Sequence, residues 1–350
     1  MKKKRKIVFI AVGSVLLSFC LVYFLGGYVA ALCIQDALFG KRQSEVGELD
    51  PFSSIVGKTR DDYPSLKTRK EVTFSSSGQE LQGYFYQNPD PKGTFVFAHG
   101  LKGYADDQSA AVQDALYRSG YSVFSFDLSS SGRSQGQGIP SLAQGAYDAK
   151  AALDYLFSQN DFYAPLSSLY LSGYSWGAYS VSACLNFSYP SPIKGVLSFS
   201  GFDNPEGEML ALARNYVGGL ADFTSLTFDW ALATRAGKDG RLSASEGISS
   251  SKAKAVLIQG DEDHTAPLSA SLYQALPESP NVKKILREGY THSLPWLSLE
   301  AKQTREKLQG EFSSEGEEAF LAKLSPKEKE SANEIDEALI QEALAFLEGE

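Results

Sequence analysis

The sequence predicts a three-layer α/β fold built on a mainly parallel sheet, preceded by one apolar helix long enough to cross a membrane. Three observations predict it. Short apolar runs alternate with helical patterns beyond residue 67. Most of those runs are continuously apolar rather than alternating, as in strands covered on both faces. Residues 7–34 contain no charged side chain at all.

The elements follow in chain order. Lys2, Lys3, Lys4, Arg5 and Lys6 form a basic tail over residues 1–6. Residues 7–34 then make a helix of roughly 40 Å at 1.5 Å per residue, enough to span the hydrocarbon core with tilt. Tyr23, Phe24 and Tyr28 fall towards its far end, where aromatic rings favour the interface. Basic residues stay on the cytoplasmic side, so a single-pass membrane protein with residues 35–350 outside the cytoplasm is expected. The competing reading is a secreted protein whose signal is cleaved at Val29-Ala30-Ala31. Residues 35–66 are mixed and turn-rich, and read as a stalk leading into a domain at 67–350.

That domain opens with a β-hairpin, "EVTF" and "LQGYFY" around "SSSGQ". Strands are expected within 93–100, 121–128, 168–173, 193–200, 253–260 and 282–289, and helices at 107–119, 146–157, 176–187 and 269–276. Two segments interrupt the alternation. Residues 203–250 read as apolar-rich helices inserted where a lid would sit. Residues 297–330 form a charged, helix-prone insertion, followed by a helix with Ile335, Leu339 and Phe346 on one buried face.

Composition bounds the function classes. The 350 residues are 43% hydrophobic and 21% charged, which is a packed globular chain rather than a disordered one. A net charge of −9 argues against nucleic acid as a partner, because phosphate neutralisation needs clustered Lys and Arg. Of three cysteines, Cys20 and Cys33 lie in or beside the apolar segment, leaving Cys184 alone in the domain without a disulfide partner. No His/Cys or carboxylate cluster has metal-ligand spacing and no Gly-rich phosphate loop follows a strand, so neither metal nor cofactor is implied. Asn186-Phe187-Ser188 matches a glycosylation site but falls at a helix end expected to pack on the sheet.

The chemistry is carried by four short stretches. "GYSWG" places Ser175 between a strand and a helix, with a glycine two residues to either side. The bare pattern is weak in a chain with 31 glycines. In this context it is the sharp turn that leaves a serine hydroxyl exposed at a helix N-terminus. A serine hydroxyl is a poor nucleophile until a histidine accepts its proton, and that histidine needs an acid to hold its tautomer. The chain offers three histidines: His99 in "FAHG", His264 in "GDEDHTAP" and His292 in "GYTHS". "HGLKG", "GYSWG", "GDEDHTAP" and "GYTHS" each end a strand and occur in the order serine, acid, histidine. In this the sequence resembles the α/β-hydrolase superfamily over roughly residues 68–350.

The resemblance implies a Ser175 nucleophile, a His292 general base and Asp263 as the acid, with Asp261 the rival for that last role. It implies an oxyanion hole from the backbone N–H groups of Trp176 and Leu101. His99 and His264 are expected to be loop residues. The Arg-Gly-His usual in the family's next loop is replaced by "SSSGRS", and no H-G-G-P-G occurs, which weakens a prolyl-aminopeptidase reading. For the substrate side, Met209, Leu210, Leu212, Tyr216, Phe223, Phe228 and Trp230 of the lid, with Trp296 behind His292, could line an apolar acyl pocket; Trp230, Phe228 and Trp296 are the chosen candidates. The expected activity is hydrolysis of carboxylic esters of short or medium acyl groups through an acyl-enzyme. A surface peptidase or amidase acting on short peptides, and a catalytically silent binding module, are the alternatives.

Overall fold

A computed structural model describes residues 2–159, 168–219, 221 and 225–349. An eight-stranded sheet runs in the order β1-β2-β4-β3-β5-β6-β7-β8. β1 (Lys70–Ser76) and β2 (Gln79–Tyr86) form the expected antiparallel hairpin, with Phe74 opposite Leu81. Its tip, Ser77-Gly78, has φ of 49° and 79°, the double positive φ that suits a two-residue turn to strand twist. β3 (Thr94–Ala98), β4 (Ser122–Phe126), β5 (Leu169–Tyr174), β6 (Gly195–Phe199), β7 (Lys254–Gly260) and β8 (Val282–Arg287) are parallel to their neighbours, and β2 meets β4 antiparallel. Every residue of β3, β4 and β6 is buried, which explains why these strands read as continuous apolar runs.

The helices in chain order are α1 (Lys2–Phe39), α2 (Pro51–Val56), α3 (Ala110–Arg118), α4 (Gln144–Ser158), α5 (Trp176–Ala183), α6 (Pro205–Val217), α7 (Ser225–Ala236), α8 (Ala244–Ser251), α9 (Leu272–Ala275), α10 (Leu299–Glu315), α11 (Glu317–Lys323), α12 (Pro326–Ser331) and α13 (Glu337–Glu348). Those that flank the sheet divide between its two faces. Val96, Leu171, Val196 and Leu257 share one core with α4, α5 and α8. Phe95, Phe97, Tyr170, Leu197 and Ile258 share the other with α3 and α13. The buried face of α13 is Leu339, Ile340, Ala343, Leu344 and Leu347. This corrects the expected spacing: Ile335 precedes the helix in a bridge with Leu297, and Phe346 is half-buried beside Lys254 and Lys283.

The segment expected to be a stalk is a strap on the domain. Phe39, Phe52, Val56 and Leu66 are buried, so residues 35–66 have apolar anchors that a free stalk lacks. Arg42 donates to the carbonyls of Ser134, Gly136 and Gly132, Gln43 N–H to Ser130 O at 2.7 Å, and Ser44 Oγ to Gly103 O at 2.5 Å. The charged insertion is helical as expected. Leu308 of α10, Phe320 of α11 and Ala332, which caps α12, are buried with Phe52 and Val56 of α2 in a small core of their own.

Within the 203–250 insertion, α8 places Ala244 and Ile248 in the main core and so belongs to the layer flanking the sheet. α7 meets the end of α1 instead, and α6 packs on α7. Tyr28 stacks on Trp230 with ring centroids 4.0 Å apart, and Gly27 comes so close to Thr227 that a Cβ would lie 2.9 Å from its methyl carbon. Ala31 and Phe39 of α1 share a core with Met209, Phe228 and Ala231. Within Ile10–Phe39 of α1 an 18-residue stretch reaches a mean hydropathy of 2.2, and the helix is long and apolar enough to cross a membrane. Phe223, the side chain of Tyr216 and those of the basic tail lie outside the described residues.

Candidate active site

Ser175 sits between β5 and α5 with φ 54° and ψ −118°, a conformation costly for a residue with a Cβ. The two glycines make this turn possible. A Cβ on Gly173 would lie 2.5 Å from Gly177 C, and one on Gly177 would lie 2.0 Å from Ala98 O. α5 therefore starts in direct backbone contact with the end of β3. Ser175 N–H donates to Phe199 O at 2.8 Å, tying the turn to β6.

The structure brings three of the sequence candidates together. His292 Nε2 lies 2.8 Å from Ser175 Oγ, and His292 Nδ1 lies 2.8 Å from Asp263 Oδ2. The Asp263 side chain is fully buried, while that of His292 is 14% exposed. Asp263 is held from several sides: Gln259 Nε2 donates to Oδ2 at 2.8 Å, and the Thr265 and Ala266 N–H groups donate to Oδ1 at 2.9 and 2.8 Å. With those lone pairs occupied, Oδ2 is aimed at the imidazole. Asp261 is exposed and instead accepts Gly289 N–H at 2.7 Å, closing the loop after β8. His264 is exposed. Tyr174 braces the histidine loop through its hydroxyl, which donates to His292 O at 3.1 Å. Burial and the charges of Asp263 and Asp107 push its phenol pKa far up, so it stays a neutral donor.

His99 is fully buried and shapes the turn after β3. Nε2 accepts Leu128 N–H at 3.0 Å, which leaves Nδ1 to donate to Gly100 O at 2.7 Å. Gly103 N–H closes the turn on Gly100 O at 3.0 Å. Among the described residues, no acceptor takes the Leu101 N–H. The Trp176 N–H belongs to the first turn of α5, which has no helical acceptor. The Trp176 indole is buried and donates to Leu142 O at 2.7 Å.

The candidate substrate aromatics separate. Trp296 is buried edge-to-face against Tyr174, with centroids 5.1 Å apart, and supports the floor behind the histidine. Phe228 is packed inside the core shared with α1. Trp230, 47% exposed, lies on Tyr28, so it contacts the apolar N-terminal helix; this corrects its assignment to the acyl pocket. Phe228 and Trp230 were candidates as apolar residues of the 203–250 insertion, and packing against α1 meets that apolar character equally well, with a partner too distant in sequence to foresee.

Three buried carboxylates escaped the sequence reading. Asp127 accepts Ala105 N–H, Arg133 N–H and Tyr84 Oη, and Asp148 accepts Ser76, Ser129 and Gln144, so both pin the loop after β4. The acid immediately after a strand in "FDLSSSGRS" was the available signal for Asp127. Glu208 on α6 is different: it is 4% exposed, and its Oε2 has no hydrogen-bond partner among the described residues. Burial, then repulsion from Asp263, raises its pKa well above the usual carboxylate range. A raised carboxyl pKa gives stability that is full below the unfolded value and is lost as pH rises through the folded value. Glu208→Gln is therefore expected to raise stability at pH 8 by about 1–3 kcal/mol, with the gain shrinking towards pH 4. Melting curves of both proteins across that range check it; a gain independent of pH would show that charge is not the cause.

Comparison with known proteins adds the family. The family described as "Serine aminopeptidase, S33" matches residues 89–276, more than half of the chain, including Ser175 and Asp263 but ending before His292. A Pyrococcus furiosus esterase superposes with a TM-score of 0.50 at 17% identity, covering 70% of this chain and 91% of its own. Est1E from Butyrivibrio proteoclasticus gives 0.46 at 17% identity, covering 72% and 99%, and a Pyrococcus horikoshii acylaminoacyl peptidase gives 0.48 at 18%, covering 65% and 38%. No curated protein matches the sequence. By its family match and its α/β-hydrolase fold, the chain belongs to the S33 serine aminopeptidase family and is a serine hydrolase.

Proposed function

We propose that this serine hydrolase cleaves carboxylic esters of short or medium acyl groups through a Ser175 acyl-enzyme. The observation that carries the reading is the continuous chain Ser175 Oγ–His292–Asp263, with both links at 2.8 Å. In the first half-reaction Ser175 Oγ bonds to the ester carbonyl carbon while His292 Nε2 takes its proton, and that proton leaves with the alcohol. In the second, water adds to the acyl-enzyme by the same route and returns the proton to Ser175. Asp263 keeps the Nδ1 proton in place and stabilises the imidazolium that forms at each step. The Leu101 and Trp176 N–H groups are the proposed donors to the developing oxyanion. No step calls for a metal or a cofactor.

The peptidase alternative is favoured by the family's description as serine aminopeptidases. The deciding experiment is fluorophosphonate labelling of the full chain in detergent, followed by parallel panels of aryl esters and short-peptide amides. An adduct on Ser175 with ester turnover well above amide turnover supports the proposal. The reverse ranking makes the protein a peptidase, and a folded chain with no adduct makes it a binding module.

We infer further that α1 is retained as a membrane anchor with the domain outside the cytoplasm. The reading is supported by its apolar length and by the burial of Ala31, Gln35 and Phe39 in the domain, which a discarded signal would not need. Removing residues 1–39 takes Ala31 and Phe39 out of the core that also holds Met209 and Phe228. A chain beginning at residue 40 is expected to lose about 2–5 kcal/mol, the range for emptying a large apolar core site. Equal denaturation midpoints for the two chains would sink this expectation.

A further inference from the structure

A cleft of about 740 Å³ opens between the turn after β3, the loop carrying His292, α2 and α10. Ser175 and His292 are not on its wall, but their immediate neighbours are: Gly100, Tyr174, Thr291 and Ser293 all line it. A Cβ on Gly100 would lie 3.5 Å from Ser175 Cβ, so the cleft begins at the edge of the reacting pair.

Arg305 of α10 lines this cleft. Its Nη2 donates to Gln108 Oε1 at 2.9 Å and its Nη1 to Asn333 Oδ1 at 3.2 Å, and its guanidinium carbon lies 5.6 Å from the centre of the Phe52 ring. Both acceptors are neutral amides, and no carboxylate lies within ion-pair distance among the described residues. A guanidinium has five N–H donors, so three remain beyond these two bonds. The acids around the cleft are engaged elsewhere. Asp107 accepts Ser109 N–H at 2.7 Å and Ser109 Oγ at 2.6 Å, Glu306 pairs with Lys302 at 2.7 Å, and Asp50 is exposed and caps α2 through Ser53 N–H. Burial lowers the Arg305 pKa to about 10, against the opposing pull of Asp50 and Tyr63. The guanidinium is thus desolvated without a full counter-charge, which an entering anion would supply. Lys102 lines the same cleft and adds to the positive potential.

We propose that this cleft is a substrate subsite for a carboxylate, recognised by Arg305, and that the charged insertion exists to build it. The planar fork of a guanidinium, already oriented by Gln108 and Asn333, matches a carboxylate. The substrate class is then a carboxylic ester that bears a second, ionised carboxyl group. This inference rests on the hydrolase reading and narrows its substrate.

The test uses the full chain in detergent and two matched pairs, one with the charge on each side of the ester. They are 4-nitrophenyl hydrogen glutarate against its methyl ester, and 4-acetoxybenzoate against its methyl ester. The wild type is expected to prefer the acid about tenfold or more in kcat/KM in one pair, chiefly through KM. In Arg305→Gln that preference should fall about tenfold. A mere structural clip would lower both members of a pair alike. Arg305→Lys, which keeps the charge, should retain part of the preference and serves if the Gln variant does not fold. Equal rates within both pairs in the wild type, or a preference that survives Arg305→Gln, overturns the proposal. Methyl-ester turnover without acid preference removes only the subsite. No turnover of any ester, with Ser175 unlabelled, removes the hydrolase reading beneath it.

Discussion

Ser175→Ala and His292→Ala are each expected to lower aryl-ester turnover by about 10⁴–10⁶-fold and to abolish fluorophosphonate labelling, with melting temperatures close to wild type. The size follows from the proposed mechanism. Without the hydroxyl there is no acyl-enzyme, and without the imidazole a hydroxyl of ordinary acidity has to attack unaided. Asp263→Asn should cost about 10⁴-fold while leaving Ser175 in place, because an amide that donates towards Nδ1 selects the wrong tautomer. Asp261→Asn should fall within a few-fold of wild type, since Asp261 meets the Gly289 N–H and not His292. Kinetics of the four variants on one substrate decide this; an Asp261 variant more impaired than the Asp263 one would displace Asp263 as the acid.

The second large effect is structural. Gly177→Ala is expected to destabilise the protein by at least about 3 kcal/mol or to prevent folding, and to abolish labelling with it. The new methyl would have Ala98 O at 2.0 Å, Ala98 C at 2.4 Å and His99 O at 2.5 Å, all backbone atoms at the end of a buried central strand. Nothing there can swing aside. Relief requires α5 to move away from β3, and that shift takes Ser175 with it. Gly310 is the matched control. It lies on exposed α10 with nothing within 4 Å of a Cβ, so Gly310→Ala should gain about 0.5–1 kcal/mol through helix propensity. Thermal or denaturant melts of the two variants check both signs. A Gly177→Ala protein that melts like wild type would refute the backbone contact.

The candidate site was legible where a residue's role is local. Ser175 could be placed because a nucleophile turn needs a strand, two glycines and a helix within a dozen residues, all visible in "LYLSGYSWGAYS". His292 was legible because only three histidines compete and each lies at a loop position. Asp263 and Asp261 could not be ranked by spacing alone. Two residues apart on a turn, they diverge only when the Thr265 and Ala266 amides capture one of them and Gly289 the other. Glu208 was hidden for a related reason. An acid in "GEMLALA" reads as the polar edge of a helix until α6 is laid against the rest of the fold and that edge is found buried.

By itself, the sequence determined the alternating strand–helix plan, the apolar N-terminal helix and the order of the four strand-end motifs. Each is written in near neighbours and in periodicities that local backbone geometry imposes. Tertiary structure alone decided which acid meets His292, that residues 35–66 strap the domain, that Trp230 faces α1, and that α10 walls a cleft beside Ser175. These are contacts between segments tens to hundreds of residues apart. An apolar or charged side chain declares that it needs a partner, but the partner is chosen only by how the layers stack.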